Sequence, residues 1–193
     1  MIKFLIPLLF CCSLQAQITI SGSTICGATI GIAGPAGPCT PAYAPPLGTG
    51  NRTNTIVVTS HSIVGSLLNP SGLEYKLVDG DFSNTDKPSF QSRDLSDGVE
   101  WINFNLGSQS TCTEITLYLS GSQDEGTWKW QGSNDGSSYT DIGGSFAWTG
   151  AATFVVTTLS GNTTAYQHYR MIGVSGNSNG NPFFRQVEFK TCP

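Results

Sequence analysis

The chain has 193 residues, enough for one domain or one domain with an appendage. Only 11% are charged and the net charge is −4, which argues against nucleic acid and anionic membrane surfaces as electrostatic partners. Glycine is abundant at 23, and the many Thr, Val, Ile and aromatic residues argue against disorder and for an extracellular all-β domain.

Met1–Gln17 (MIKFLIPLLFCCSLQAQ) reads as a secretory signal, with Lys3, an apolar run Phe4–Phe10, and the small Ala16 before the cut. The run is too short for a transmembrane helix, which needs about twenty apolar residues. Lipidation at Cys11 or Cys12 ranks second to simple cleavage, because Phe10 stands where lipoprotein signals want a small residue. Loss of Lys3 with the leader takes the net charge from −4 to −5.

Residues 17–50 carry no charge at all. They read as a short strand at Ile18–Ser21, a loop between Cys26 and Cys39, and an extended Pro-rich linker. A tucked-in strand of the main domain is the competing reading. The organisation expected is a leader at 1–16, this segment at 17–50, and one domain over 51–193.

From Asn51 the pattern becomes strand-like, at Thr55–Ser60, Trp101–Leu106, Glu114–Ser120, Thr127–Gln131, Thr153–Leu159, Tyr166–Val174 and Phe184–Lys190. WINFNL sets Trp101, Asn103 and Asn105 against Ile102, Phe104 and Leu106, so one face is buried. EITLYL does the same with Ile115, Leu117 and Leu119. No window supports a long amphipathic helix, and Pro70–Lys76 offers one turn. Short strands with Gly-rich turns between them predict an antiparallel β-sandwich or barrel.

Two loops stand out. LVDGDFSNTD at Leu77–Asp86 packs Asp79, Asp81 and Asp86 beside Asn84 and Thr85, the hard oxygen atoms that calcium requires. QGSNDGSSYTDIG at Gln131–Gly143 is a hairpin signal centred on Asp135-Gly136. Six of the 13 acidic residues lie between Asp79 and Glu100, so the acidity is local. The mature chain keeps Cys26, Cys39, Cys112 and Cys192, an even set with three possible pairings. Closing the Gly/Pro-rich loop pairs Cys26 with Cys39 and leaves Cys112–Cys192. Zinc is a poor alternative without a CxxC pair.

In order along the chain, LVDGD, WINFNLG (Trp101–Gly107), EITLYLSG (Glu114–Gly121), WQGSNDGSSYTDIG (Trp130–Gly143), HYRMIGV (His168–Val174) and FRQVEFKTC (Phe184–Cys192) resemble the motif series of the coagulation factor 5/8 C-domain (discoidin) family. The resemblance spans about 140 residues, a usual length for one domain. It implies a galactose-binding-like jelly roll, ligand-binding loops at one end, and, in bacterial members, carbohydrate binding with a structural calcium. Carried over, that calcium site takes the backbone carbonyl of Lys76, then Asp79, Asp81, Thr85 and Gln186, the last where relatives often have Glu. Phe90 matches a family position usually filled by a buried Trp. The loop SGSQDEG stands where sugar-binding relatives often carry Arg and Asn.

Nothing supports catalysis. GNSNG at Gly176–Gly180 has the G-x-S-x-G form, but Asn181-Pro182 and a strand follow where a nucleophile elbow needs a helix. His61 and His168 have no local partner, and Asp124-Glu125 are adjacent loop residues rather than a facing carboxylate pair. Trp128 and Trp130 share one strand face, with core packing the expected role. The function expected is a secreted, non-catalytic carbohydrate-binding or adhesion module using Arg93, Asp124, Glu125 and Asn179, with Phe183 as stacking platform. The alternative is a docking subunit of a cell-surface complex, so the partner is a glycan or a cell-surface protein.

Overall fold

The computed structural model describes residues 40–43, 50–61, 67–69, 72–83, 86–120, 124–149, 154–179 and 183–192, all within one compact unit, Pro38–Pro193. The leader, the strand expected at Ile18–Ser21 and the Cys26–Cys39 loop lie outside the described residues. The strands in chain order are β1 (Ala42–Tyr43), β2 (Val57–Ser60), β3 (Leu68–Asn69), β4 (Ser89–Phe90), β5 (Arg93–Asp94) and β6 (Trp101–Ser120). They continue as β7 (Thr127–Ser133), β8 (Thr140–Ala147), β9 (Phe154–Thr158), β10 (Tyr166–Ser175), β11 (Asn177–Ser178) and β12 (Phe183–Cys192).

The runs expected as separate strands at Trp101–Leu106 and Glu114–Ser120 are the two arms of β6, joined through exposed Gly107–Gln109. The first arm lies between β2 and β10, and β10 continues the sheet to β7 and β8. The second lies between β12 and β9, with β4 and β3 beyond the start of β12 and β1 beside its end. Every pairing is antiparallel, and the result is a β-sandwich. Strand β8 escaped the sequence reading because in TDIGGSFA only Ile142 is buried, so its alternation is weak. The Asp135-Gly136 turn does join β7 to β8: the Asp135 carboxylate accepts N–H bonds from Ser137 (2.8 Å) and Ser138 (2.7 Å), while Gly136 takes the left-handed φ of 69°.

The alternating residues face each other across the sandwich. Phe104, Phe146 and Phe189 surround Trp130 at centroid distances of 6.1–6.3 Å, and Trp128, Trp148 and Phe184 surround Phe90 at 5.2–5.6 Å. Trp128, Trp130 and Phe90 are therefore core residues and unavailable to a ligand. Each such side chain contributes about 1.5–3 kcal/mol by leaving water. Among the described residues the one helical turn, a 3-10 turn at Glu74–Val78, sits later than expected and lays Leu77 and Val78 on this core.

The expected Cys112–Cys192 bridge does not form. Cys112 is a free, buried thiol, and Cys192 is held in a disulfide that does not include it. Register explains why. Thr191 lies opposite Cys112 and Cys192 opposite Thr111, so the one-residue offset turns the two sulfurs to opposite faces of the sheet. The Cys112 thiol donates to the Glu114 carbonyl at 3.3 Å, and burial pushes its pKa up to about 12. A thiol so buried and so weakly acidic resists modification. Alkylation with iodoacetamide at pH 8 is therefore expected to leave Cys112 unmodified in the native protein and to label it fully in 6 M guanidinium, read by peptide mass spectrometry.

Candidate functional site

Both arms of β6 return to one end of the sandwich, and the connections of β4, β7, β10 and β12 gather there. Strand β5 pairs with β11, Asp94 opposite Asn177 and Arg93 opposite Ser178. Ser178 is buried, accepting from the Arg93 backbone N–H at 3.0 Å and donating to the Gln91 carbonyl at 2.5 Å. The serine of the G-x-S-x-G string thus clasps backbone, and no nucleophile elbow forms. Beneath the clasp lies Leu95, fully buried. A Cβ on Gly126 would come within 2.7 Å of it and 2.8 Å of the Ser175 carbonyl oxygen, so only glycine fits where these loops cross.

Glu125 joins the same loops from the other side. Its backbone N–H donates to Trp148 O at 2.9 Å, and its carbonyl accepts from the Trp128 indole at 2.6 Å. Its side chain is fully buried. Oε2 accepts the Asn179 backbone N–H at 3.0 Å, the Asn179 amide donates to Asp124 O at 2.5 Å, and Oε1 has no partner. Burial raises the Glu125 pKa to about 7, against the opposing Asn179 hydrogen bond.

The expected ligand residues therefore converge, but their roles divide. Arg93 is partly exposed and Asp124 and Asn179 are exposed, whereas Glu125 points inward and positions Asn179 instead of facing solvent. Phe183 opens β12 at this end, paired with Ser89 and Ser120, and its side chain lies outside what the structure describes. The sequence reading missed the support behind Arg93. His61 Nδ1 lies 3.0 Å from Glu100 Oε2, Glu100 Oε1 lies 4.0 Å from Arg93 Nε, and Arg93 Nη2 donates to Gln91 Oε1 at 2.8 Å. The signal was there only through register: β2 running beside β6 brings His61 next to Trp101, 40 positions away in sequence.

The residues expected to hold calcium do not converge on an ion. The Lys76 carbonyl and Asp79 Oδ1 both accept from the Lys87 ammonium, at 2.7 and 2.5 Å. Asp81 is exposed and accepts from the Ser83 N–H and hydroxyl, both at 2.8 Å. Gln186 Oε1 accepts the Gly80 N–H at 3.2 Å, and its Nε2 donates to Glu188 at 2.9 Å. Thr85 lies outside the described residues. Among the described residues no three His, Cys, Asp or Glu side chains cluster for a metal. With the Lys76 carbonyl and Asp79 on an ammonium and Asp81 turned to Ser83, the described donors do not fit calcium.

A scan of the sequence against protein-family models finds no match, and a search of curated proteins finds none. Solved structures do match. The family 32 carbohydrate-binding module of NanJ from Clostridium perfringens, solved with galactose, aligns at TM-score 0.54 and 10% identity, over 73% of this chain and 97% of that one. A family 32 module of CpGH89 from the same organism, solved with GalNAc-β-1,3-galactose, gives 0.53 and 16% over 74% and 99%. The C-terminal domain of a chitobiase from Bacteroides fragilis gives 0.52 and 13% over 75% and 98%.

The fold is that of the family 32 carbohydrate-binding modules. At such identities it is the fold alone that these modules share with this chain. Among the described residues no helix is long and apolar enough to cross a membrane.

The Glu125 latch gives the loop end a pH dependence with a definite sign. The folded pKa of about 7 lies above the ordinary value of 4.5, so the protonated form is the one folding favours. Its contribution is complete below about pH 4.5 and is lost as pH rises through 7. Between pH 5 and 8 the domain is expected to lose on the order of 2 kcal/mol from this group. Denaturant melts of wild type and Glu125→Gln check it: the difference between the two pH values shrinks in the variant.

Proposed function

We propose that this chain is a secreted, non-catalytic glycan-binding module whose ligand seats on the loop end of the sandwich. The observation that carries this reading is the gathering of Arg93, Asp124 and Asn179 from three separate segments around one clasp. A guanidinium, a carboxylate and an amide on a common surface suit the vicinal hydroxyls of a sugar, each acting as donor and acceptor. The Glu100–His61 pair behind Arg93 and the Glu125 carboxylate behind Asn179 restrict where those groups can point, which lowers the ordering cost on binding. To the sugar's C–H side we assign Phe183, which opens β12 at this end. A shallow site of this kind gives weak affinity, with Kd on the order of 0.1–1 mM. The fold supports the reading, since solved modules that share it were captured with galactose and GalNAc-β-1,3-galactose.

The docking alternative has one observation in its favour. Strand β9 pairs, among the described residues, with β6 alone and leaves Phe154 and Val156 about half exposed beside Tyr118. An apolar edge strand is a place where another chain can add.

A glycan array probed with the mature protein tests both. Glycan binding is expected, with Arg93→Gln and Phe183→Ala each weakening it about tenfold, equivalent to 1.4 kcal/mol, at unchanged melting temperature. A blank array, with a protein partner lost on Val156→Lys and kept on Arg93→Gln, selects the docking reading.

A further inference from the structure

Lys87 is among the largest fully buried side chains of the molecule, at 1% relative exposure. Burying an ammonium costs several kcal/mol unless it is paired and hydrogen-bonded, so its surroundings must be built for it. They are. Its Nζ donates to the Lys76 carbonyl at 2.7 Å and to Asp79 Oδ1 at 2.5 Å, and the Asp79 side chain is itself nearly buried. Lys76 lies inside the 3-10 turn and Asp79 ends it, so one cation gathers a carbonyl and a carboxylate from the same bend. The same Asp79 Oδ1 accepts the Asp81 N–H at 3.0 Å, which turns the chain at Gly80. Gly80 takes a φ of 78°, and a Cβ there would fall 2.6 Å from the Gly50 carbonyl, so backbone from residue 50 closes this side. From the last strand, Gln186 takes the Gly80 N–H. Next to it, Glu188 pairs with buried Arg52, whose backbone N–H reaches Val78 O at 2.8 Å.

We propose that Lys87 is a built-in structural cation: its ammonium does the work of a bound metal ion for the Lys76–Asp81 loop, and the sandwich is complete without calcium. The charge count supports this. Among the described residues Asp79 is the one carboxylate hydrogen-bonded to the ammonium, Asp81 lies near enough to feel its charge, and Gln186 adds dipole without charge. A divalent ion would leave the cluster with uncompensated positive charge beside Lys87, a repulsion that low local dielectric makes severe. The proposal also accounts for the outward turn of Asp81, which serves Ser83 rather than the cation.

The test is thermal melting and calcium titration of the full mature chain, for wild type, Lys87→Met, Asp79→Asn and the double variant. Wild type is expected to melt within about 1 °C in EDTA and in millimolar calcium chloride, and to give no heat on titration with calcium. Lys87→Met, which leaves Asp79 buried and unpaired, is expected to melt about 10 °C lower. Adding Asp79→Asn to it recovers part of the loss, because the stranded charge is gone. A saturable rise in wild-type melting temperature with calcium, or a Lys87→Met variant as stable as the parent, overturns the proposal. Should Lys87→Met fail to fold, the wild-type titration and a double variant that does fold still decide it.

Discussion

The bend of β6 is the constraint on which the rest of the molecule depends. A single 20-residue strand gives its first arm to one sheet and its second to the other, so the two sheets are covalently fixed face to face. Tyr169 pins the bend from within the core: its hydroxyl donates to Ser110 O at 2.7 Å and accepts from Cys112 N at 2.9 Å. Since β10 and β12 follow the two arms antiparallel, β10 ends and β12 starts at the end where β6 begins and finishes. The loop end is therefore a consequence of topology. Residues as distant in sequence as Arg93, Glu125 and Asn179 meet because the strands that carry them have no other place to turn.

Charge is buried in this protein where loops join sheets. Lys87–Asp79 and Arg52–Glu188 lie under the Leu77–Asp81 bend, and His61–Glu100 stands behind Arg93. Such pairs add little net stability, because desolvation offsets most of their attraction, yet removing one member is costly. Their effect is on geometry. An apolar contact tolerates sliding, whereas an ammonium held by a carbonyl and a carboxylate is directional and fixes where the loop sits. The division is consistent: the core between the sheets is aromatic and aliphatic, and directional bonds appear where backbone leaves regular pairing and needs partners.

What was legible in the sequence follows the same division. Ile102, Phe104, Ile115, Leu117 and Leu119 could be placed because burial in a strand is a period-two property of neighbours. Two strands instead of one bent strand was a failure of the same method, since nothing local distinguishes a corner through Gly107 from a turn. Cys112 and Cys192 were mispaired because side-chain parity depends on a register shift between Lys190 and Thr191 that leaves no local trace. The loops holding the candidate site were legible, but Asp124-Glu125 gives no sign that one carboxylate faces solvent and the other the interior. The Asp-rich loop was read as oxygen waiting for a metal. Nothing local in the sequence shows that Lys87 is buried against Asp79.

The buried polar atoms without partners carry the last step. Among the described residues Glu125 Oε1, Trp148 Nε1 and His61 Nε2 lie in or behind the loop end, and Trp130 Nε1 and Thr157 Oγ1 lie in β7 and β9. Each unsatisfied group costs about 1–3 kcal/mol, a penalty a sequence free to optimise the fold alone could avoid with an apolar replacement. Glu125 and Trp148 exchange backbone bonds through Gly126, so their orphaned atoms belong to one structural unit, while His61 belongs to the unit that backs Arg93. The two units flank the surface where Arg93, Asp124 and Asn179 are presented. Trp130 Nε1 and Thr157 Oγ1 lack partners within the sheets as well, so orphaned atoms are not confined to the loop end, and what distinguishes that end is the exposure of Arg93, Asp124 and Asn179 between the two units.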